Sequence, residues 1–448
     1  MRQGKPAQQI GIYIAISLVV GNMIGSGIFM LPASMATIGS ISLLGWVLSG
    51  AGAILVAIVF SRLSKLVPKT GGPYIYPREG FGDFVGFLSG WGYWLSVLLT
   101  NASIAFAFTG YLLVFLPAFS TSQTAMVLIP VLTIWLLTYL NSRGVRTGGV
   151  VQLGTTILKI VPLVTVTIAG FFFFDSNNFE PFIATGSSDL AAIGTSITLT
   201  LFAFLGIESA TIPAGNIKNP EVTIPRATII GTILTLFIYL ISSISIMGIL
   251  PQSQLSMSTA PFAEAAELMW GKTGMYLVGF GAMISTFGAL NGWILIQSQI
   301  PMAMAEDDLL PPIFKKRSRR DFPIFSLIIS SVIVTVVVIA NSSRGLVEIF
   351  TMLILVGTFL TLISYLFSSM AEVLILIKRK PEDWKKRAAR AFLLSFPAFG
   401  FSIIAIYGAG MEIVFYGFLI LVLGIPIYIW SKMKQSQLSK QSERNLSE

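Results

Sequence analysis

Apolar residues run along this chain in long blocks separated by short polar segments. A helix crossing about 30 Å of hydrocarbon needs roughly 20 apolar residues. By that rule the chain contains about twelve spans, at approximately 10–37, 41–63, 84–115, 125–141, 149–174, 189–213, 227–250, 274–304, 323–341, 346–377, 391–410 and 412–431. The polar stretches between them are a few tens of residues at most and leave no room for a large soluble domain. The pattern divides the chain into a short polar N-terminus (1–9), a transmembrane domain (10–432) and a polar tail (433–448). The N-terminus carries Arg2 and Lys5, and no small-residue cleavage site closes the apolar run behind it. The first span is therefore expected to be retained and not cleaved as a signal peptide.

Composition agrees. The chain is 54% hydrophobic and 11% charged, with a mean hydropathy of +0.82, against about 25% charged residues in a soluble domain. The net charge of +9 bears on topology, because the basic residues lie between spans and form no face for nucleic acid. Alternate loops hold Arg62, Lys65, Lys69 and Arg78; Arg143 and Arg146; Lys218 and Arg226; Lys315, Lys316, Arg317, Arg319 and Arg320; and the cluster from Lys378 to Arg390. The opposite loops offer Lys272 and Arg344 among acids such as Asp175, Glu180, Glu264 and Glu267. The positive-inside rule places both termini in the cytoplasm of a multi-pass inner-membrane protein, which requires an even number of spans. The sequence has no Cys and no His, which removes disulfides, thiolate chemistry, Cys/His metal sites and imidazole proton relays. No metal or other cofactor is expected.

Two spans carry features that interrupt a helix. The first contains GNMIGSGIF (21–29), and the sixth contains FAFLGIESA (202–210). Glycine costs about 1 kcal/mol relative to alanine inside a helix, and in lipid a break frees backbone groups that must find partners. Interruptions at matching positions of two five-span halves point to an inverted-repeat transporter. The freed N–H groups of Ser26 and Gly27 would form a half-helix N-terminus suited to a carboxylate. Carbonyls near Met23, Phe202 and Leu205 would accept hydrogen bonds from an ammonium. Close helix packing is the alternative use of such small residues.

On these residues the chain resembles the amino acid–polyamine–organocation transporter superfamily, most closely its arginine/agmatine and putrescine/ornithine antiporter branch. The resemblance runs nearly end to end, through GNMIGSGIFMLPA (21–33), GGPYIYPREGFG (71–82), the span carrying Tyr93 and Asn101, and FAFLGIESA. It continues through GNIKNPEVTIPRATI (215–229), STAPFAEAA (258–266), GALNGW (288–293) and AEDDLLPPIF (305–314). It implies an all-α integral membrane (LeuT-like) fold: inverted five-helix repeats at about 10–174 and 189–377, with broken helices one and six, and extra helices at about 391–431. It also implies a homodimer in the bilayer.

By the same resemblance, Ser26 and Gly27 match backbone amides that hold a substrate carboxylate. Asn101 and Trp293 match residues that bind and stack on the distal group of a cationic substrate. Tyr93, Glu208 and Tyr365 match a cytoplasm-side gate, and Glu208 also a proton-sensing acid. Three positions depart from the branch. Phe202 replaces a tryptophan lid, Gly357 replaces a hydroxyl residue in the substrate-lining set (Thr358 adjoins it), and Lys159 replaces a small residue in the fifth span. A lysine there resembles proton-coupled and exchanging carriers elsewhere in the superfamily. Lys159 is either a fixed structural cation or a proton carrier, because burial lowers a lysine pKa. The expected activity is alternating-access transport of an amino acid or amine, as proton symport or exchange. A channel or nutrient sensor is the alternative class. No nucleophile elbow, zinc motif or phosphate loop speaks for an enzyme, and Lys159 lacks acid/base partners for Schiff-base chemistry.

Overall fold

Each apolar block folds as helix, because a backbone in lipid can satisfy its own N–H and C=O groups only within a helix or a closed barrel. The computed structural model describes residues 11–67, 72–142, 160–186, 188–210, 217–318, 322–341 and 343–434. Among them run α1 (Ile12–Met23), α2 (Ser26–Ala36), α3 (Leu43–Leu66), α4 (Ile75–Phe81), α5 (Asp83–Leu113), α6 (Gln123–Ser142), α7 (Ile160–Phe173) and α8 (Asp189–Phe202). They are followed by α9 (Pro220–Ile249), α10 (Gln252–Leu255), α11 (Pro261–Glu306), α12 (Ile324–Ala340), α13 (Leu346–Arg379), α14 (Trp384–Gly408) and α15 (Met411–Lys434).

Among the described residues, nine segments are long and apolar enough to cross a bilayer, with α1 and α2 counted as one. Three shorter apolar helices, α7, α8 and α12, lie where the fifth, sixth and ninth spans were expected. The set accounts for the twelve apolar blocks and gives the multi-span helical membrane fold. Lys159, with Arg143 and Arg146, lies outside the described residues.

Two helices begin earlier than their apolar windows. Helix α9 starts at Pro220 and α14 at Trp384, each about two turns ahead of expectation. In both the added turns are polar or basic (Glu221 and Arg226; Lys385, Lys386, Arg387 and Arg390), so hydropathy alone misses them. Helix α11 is kinked at Gly271, which divides an outlying helix from the span proper.

Polar contacts distinguish the two ends of the bundle. At one end Arg62 makes a bidentate pair with Glu372 (2.7 and 2.8 Å), tying α3 to α13. Arg78 bonds Asp83 (2.9 Å) and Asp307 (2.7 Å), the Tyr74 hydroxyl donates to Asp307, and Lys432 reaches Asp83 (2.8 Å). Burial would lower the Arg78 guanidinium pKa, but its bonds to Asp83 and the pull of Asp307 leave it raised. Burial, with the Asp307 carboxylate alongside, pushes the Tyr74 phenol well above its ordinary range. At the other end backbone bonds, Ile41 N–H to the Phe182 carbonyl and Ala184 N–H to the Ile38 carbonyl, join the Gln252 amide bond to Ala36 O (2.6 Å) and the exposed Arg344–Glu348 pair (3.2 Å). The first, more heavily charged end also carries Lys378 and Arg379, whose side chains bond the Glu79 and Leu66 carbonyls. The outer faces of α6, α14 and α15 expose Leu132, Ile404 and Leu423, an apolar surface suited to hydrocarbon.

Candidate functional site

The interruption of the first span is local and abrupt. The Ile24 N–H closes α1 on the Val20 carbonyl (2.8 Å), and the Gly25 N–H turns back to Met23 O (2.8 Å). Helix α2 then starts at Ser26 with no side-chain cap. The first N–H groups of α2, at Ser26 and Gly27, therefore have no intrahelical acceptor, as at any helix start. In the sixth span α8 ends at Phe202, and the N–H groups of Ala203, Phe204, Leu205 and Ile207 each bond the carbonyl three residues back. The turn is completed by Gly206 at φ 108°, a left-handed conformation that only glycine adopts without strain. A short 3₁₀ turn carrying Glu208 follows (Ile207–Ala210).

The two interruptions lie against each other. A Cβ placed on Gly27 would stand 3.1 Å from the Ala203 Cβ and 3.3 Å from its Cα, so the absence of a side chain permits the approach. Between them is a small cavity bordered by Met23, Gly25, Ser26, Gly27, Thr100, Ile104, Phe202, Ala203, Leu205 and Trp293. Its volume of about 10 Å³ admits little more than one water molecule. The Ser26 and Thr100 hydroxyls on its wall are buried without a hydrogen-bond partner among the described residues. A buried polar group left so costs about 1–3 kcal/mol, and a polar ligand would remove that cost. Phe202 closes one side and meets Phe350 edge-on at 6.1 Å. A larger cleft, about 1050 Å³, opens between α12, α13 and α15 but carries none of these residues.

Six sequence-predicted binding residues thus share one cavity wall: Met23, Ser26, Gly27, Phe202, Leu205 and Trp293. The Phe202 carbonyl accepts from the Leu205 N–H at 3.0 Å, and keeps a second lone pair. Asn101 does not border the cavity. Its amide donates to Gln297 (2.7 Å), and Gln297 in turn donates to Ser331, so the pair bridges α5, α11 and α12. Gly357 also stands back from the cavity. A Cβ there would lie 3.5 Å from Ser96 O and 3.9 Å from the Thr100 hydroxyl.

The three residues matched to a gate do come together. The Tyr93 hydroxyl donates to one oxygen of Glu208, and the Tyr365 hydroxyl donates to the other at 2.9 Å. All three are buried, and Phe60 packs edge-on against Tyr365 at 5.4 Å. The cluster ties α5 and α13 to the turn after the sixth-span break.

Thr100, Ile104, Ala203 and Tyr239 were not found from sequence. Thr100 lines the cavity one position from Asn101, and helical spacing alone does not say which of the two faces it. Tyr239, on α9, places its hydroxyl 2.5 Å from Met23 O and 3.1 Å from Ala203 O, and so touches both interruptions. Its only signal in the sequence is a tyrosine midway through an otherwise apolar run, LFIYLIS.

A family model described as amino acid permease matches residues 10–433. The chain is 33% identical over 432 residues to the putrescine transporter PotE of Haemophilus influenzae, an alignment covering 94% of this chain and 97% of that protein. It is 32% identical to an arginine/agmatine antiporter of Chlamydia pneumoniae (95% and 90% covered) and 28% identical to an arginine/ornithine antiporter of Pseudomonas aeruginosa (96% and 92% covered).

Proposed function

The chain belongs to the amino acid permease family and is a membrane transporter, not an enzyme; from that premise we propose that it exchanges a cationic amino acid for an amine or a second amino acid by alternating access. The observation that carries the proposal is the pairing of the two helix interruptions around one cavity with unpartnered hydroxyls. The N–H groups of Ser26 and Gly27 would receive a carboxylate, favoured by the positive end of α2. The carbonyls of Met23, Phe202 and Leu205 would receive the ammonium. The names of the relatives above support cationic cargo and exchange.

A cavity of this size has to open before an amino acid enters. The proposed motion separates the interrupted helices from the wall formed by Thr100 on α5 and Trp293 on α11, then closes on the far side. The Tyr93–Glu208–Tyr365 cluster, lying toward the charged end, would be the cytoplasmic seal. In this reading the two repeats are about 10–174 and 189–377, both termini are cytoplasmic, and the membrane is the inner membrane. Protons and a homodimer belong to the proposal too. Lys159 remains either the fixed cation or the proton carrier.

Counterflow in proteoliposomes tests the exchange. Arginine uptake is expected to be saturable and to require internal arginine, ornithine or an amine such as agmatine or putrescine. Equal uptake into unloaded vesicles driven by a proton gradient would replace exchange with symport, and non-saturable conductance would indicate a channel. The flat indole of Trp293 gives a second expectation. A cation over an aromatic face gains about 0.5–2 kcal/mol, so Trp293→Ala should weaken arginine competition about 2- to 30-fold while affecting a neutral amino acid much less. Equal losses for both ligands would reduce Trp293 to a packing residue.

A further inference from the structure

Helices α1 and α8 both end at the cavity, and both end there with their C-terminal, partially negative carbonyl poles. Two such ends side by side repel, and the carbonyls at a helix end lack intrahelical donors. A single side-chain hydroxyl stands between them. The Tyr239 oxygen lies 2.5 Å from Met23 O at the end of α1 and 3.1 Å from Ala203 O at the end of α8. Both carbonyls therefore fall within hydrogen-bond reach of one atom. In carriers with interrupted helices, unwound carbonyls and half-helix C-termini are where cationic groups bind.

The ring that carries this hydroxyl is fixed. Tyr239 is fully buried, packs on Trp46 with centroids 5.0 Å apart and meets Phe204 edge-on at 5.7 Å. Its helix packs against α1 and α3. The hydroxyl has one proton for two acceptors, so it cannot saturate both. Met23 O also accepts from the Gly25 N–H, while Ala203 O has only the longer, shared bond among the described contacts. The arrangement holds the two carbonyl ends together with acceptor capacity to spare, at two residues that both border the cavity.

We infer that Tyr239 is a positioning residue for the amine subsite: its hydroxyl sets the spacing of the Met23 and Ala203 carbonyl ends, so that a substrate ammonium meets a preformed pair of half-helix poles. The inference rests on the proposal that the interruptions hold the substrate head group. It differs from a packing role in what it moves. Without the hydroxyl the poles separate, and the cost falls on binding of any ammonium-bearing ligand. The carboxylate partners at Ser26 and Gly27 are untouched, so an amine lacking a carboxylate loses as much as the amino acid does.

The test uses the full-length carrier in proteoliposomes, with initial rates of arginine and agmatine uptake measured against concentration. Tyr239→Phe keeps the ring packing and removes only the hydroxyl. KM is expected to rise about tenfold for both ligands, the size of one lost hydrogen bond, with maximal rate within about twofold of wild type. Tyr239→His, which restores a ring donor, is expected to recover part of that loss. A lowered maximal rate with unchanged KM in Tyr239→Phe would make the residue structural and overturn the inference. So would a KM increase for arginine alone. Wild-type carrier with no saturable uptake of either ligand would remove the transport proposal itself, and the inference with it.

Discussion

Replacing Gly27 with leucine is expected to abolish saturable uptake, with apparent affinity falling at least about 100-fold while the protein still inserts and elutes as a single species. The reason is a contact between two backbones. Any Cβ at position 27 stands 3.1 Å from the Ala203 Cβ and 3.3 Å from the Ala203 Cα. Neither atom belongs to a flexible side-chain tip that could turn away, so the first span must move off the sixth. That movement separates the Ser26 and Gly27 N–H groups from the carbonyls of Phe202 and Leu205, which together are proposed to hold the two charged ends of one head group. A displacement of about 1 Å in such a site can cost a hundredfold. Gly27→Ala should fall between, because one methyl needs only a few tenths of an ångström of relief. Radioligand binding in detergent, with size-exclusion profiles as the folding control, measures it. Normal arginine affinity in Gly27→Leu would remove the carboxylate site from the α2 N-terminus.

Glu208→Gln is expected to flatten the pH dependence of exchange, and Glu208→Ala to break the seal as well. Glu208 is fully buried and accepts hydrogen bonds from the hydroxyls of Tyr93 and Tyr365, which arrive from α5 and α13. Glutamine keeps one acceptor oxygen, presents an N–H donor in place of the other, and cannot change its charge. Alanine leaves both phenols without that partner, at about 1–3 kcal/mol each, and frees the turn from both helices. Exchange measured between pH 5 and 8 should therefore vary in wild type and hold nearly constant in Glu208→Gln. In Glu208→Ala, efflux should no longer require external substrate. A Glu208→Gln profile that follows wild type would remove the carboxyl as the titrating group and leave it a hydrogen-bond hub.

The features legible in the sequence are those that hydropathy or backbone chemistry writes locally. Long apolar blocks gave the spans, glycines at 25, 27 and 206 marked the interruptions, and an acid at 208 stood out within an apolar run. The features that were not legible depend on which helix faces which. Asn101 and Thr100 are neighbours on α5, but only Thr100 reaches the cavity, while Asn101 meets Gln297 nearly two hundred residues away. The Arg62–Glu372 pair joins the second and tenth blocks, and nothing in either block names the other. Tyr239 looks like one more aromatic residue in a span until the ends of α1 and α8 are seen to meet at it. Helix starts were missed for a different reason. The polar first turns of α9 and α14 dilute the hydropathy that locates a span, although they continue the same helix.

The basic opening of α14 has a consequence for the bilayer itself. Lys385, Lys386, Arg387 and Arg390 are all exposed and sit within two turns of one another, beside Trp384. Near an anionic leaflet each such cation gains about 1 kcal/mol, and the gain decays within a Debye length of the surface. Four of them on one rim would gather acidic headgroups around the mouth of the carrier. The cargo proposed above would then leave the carrier into a lipid patch whose charge the four cations partly compensate, so lipid composition would set the electrostatic field at that mouth.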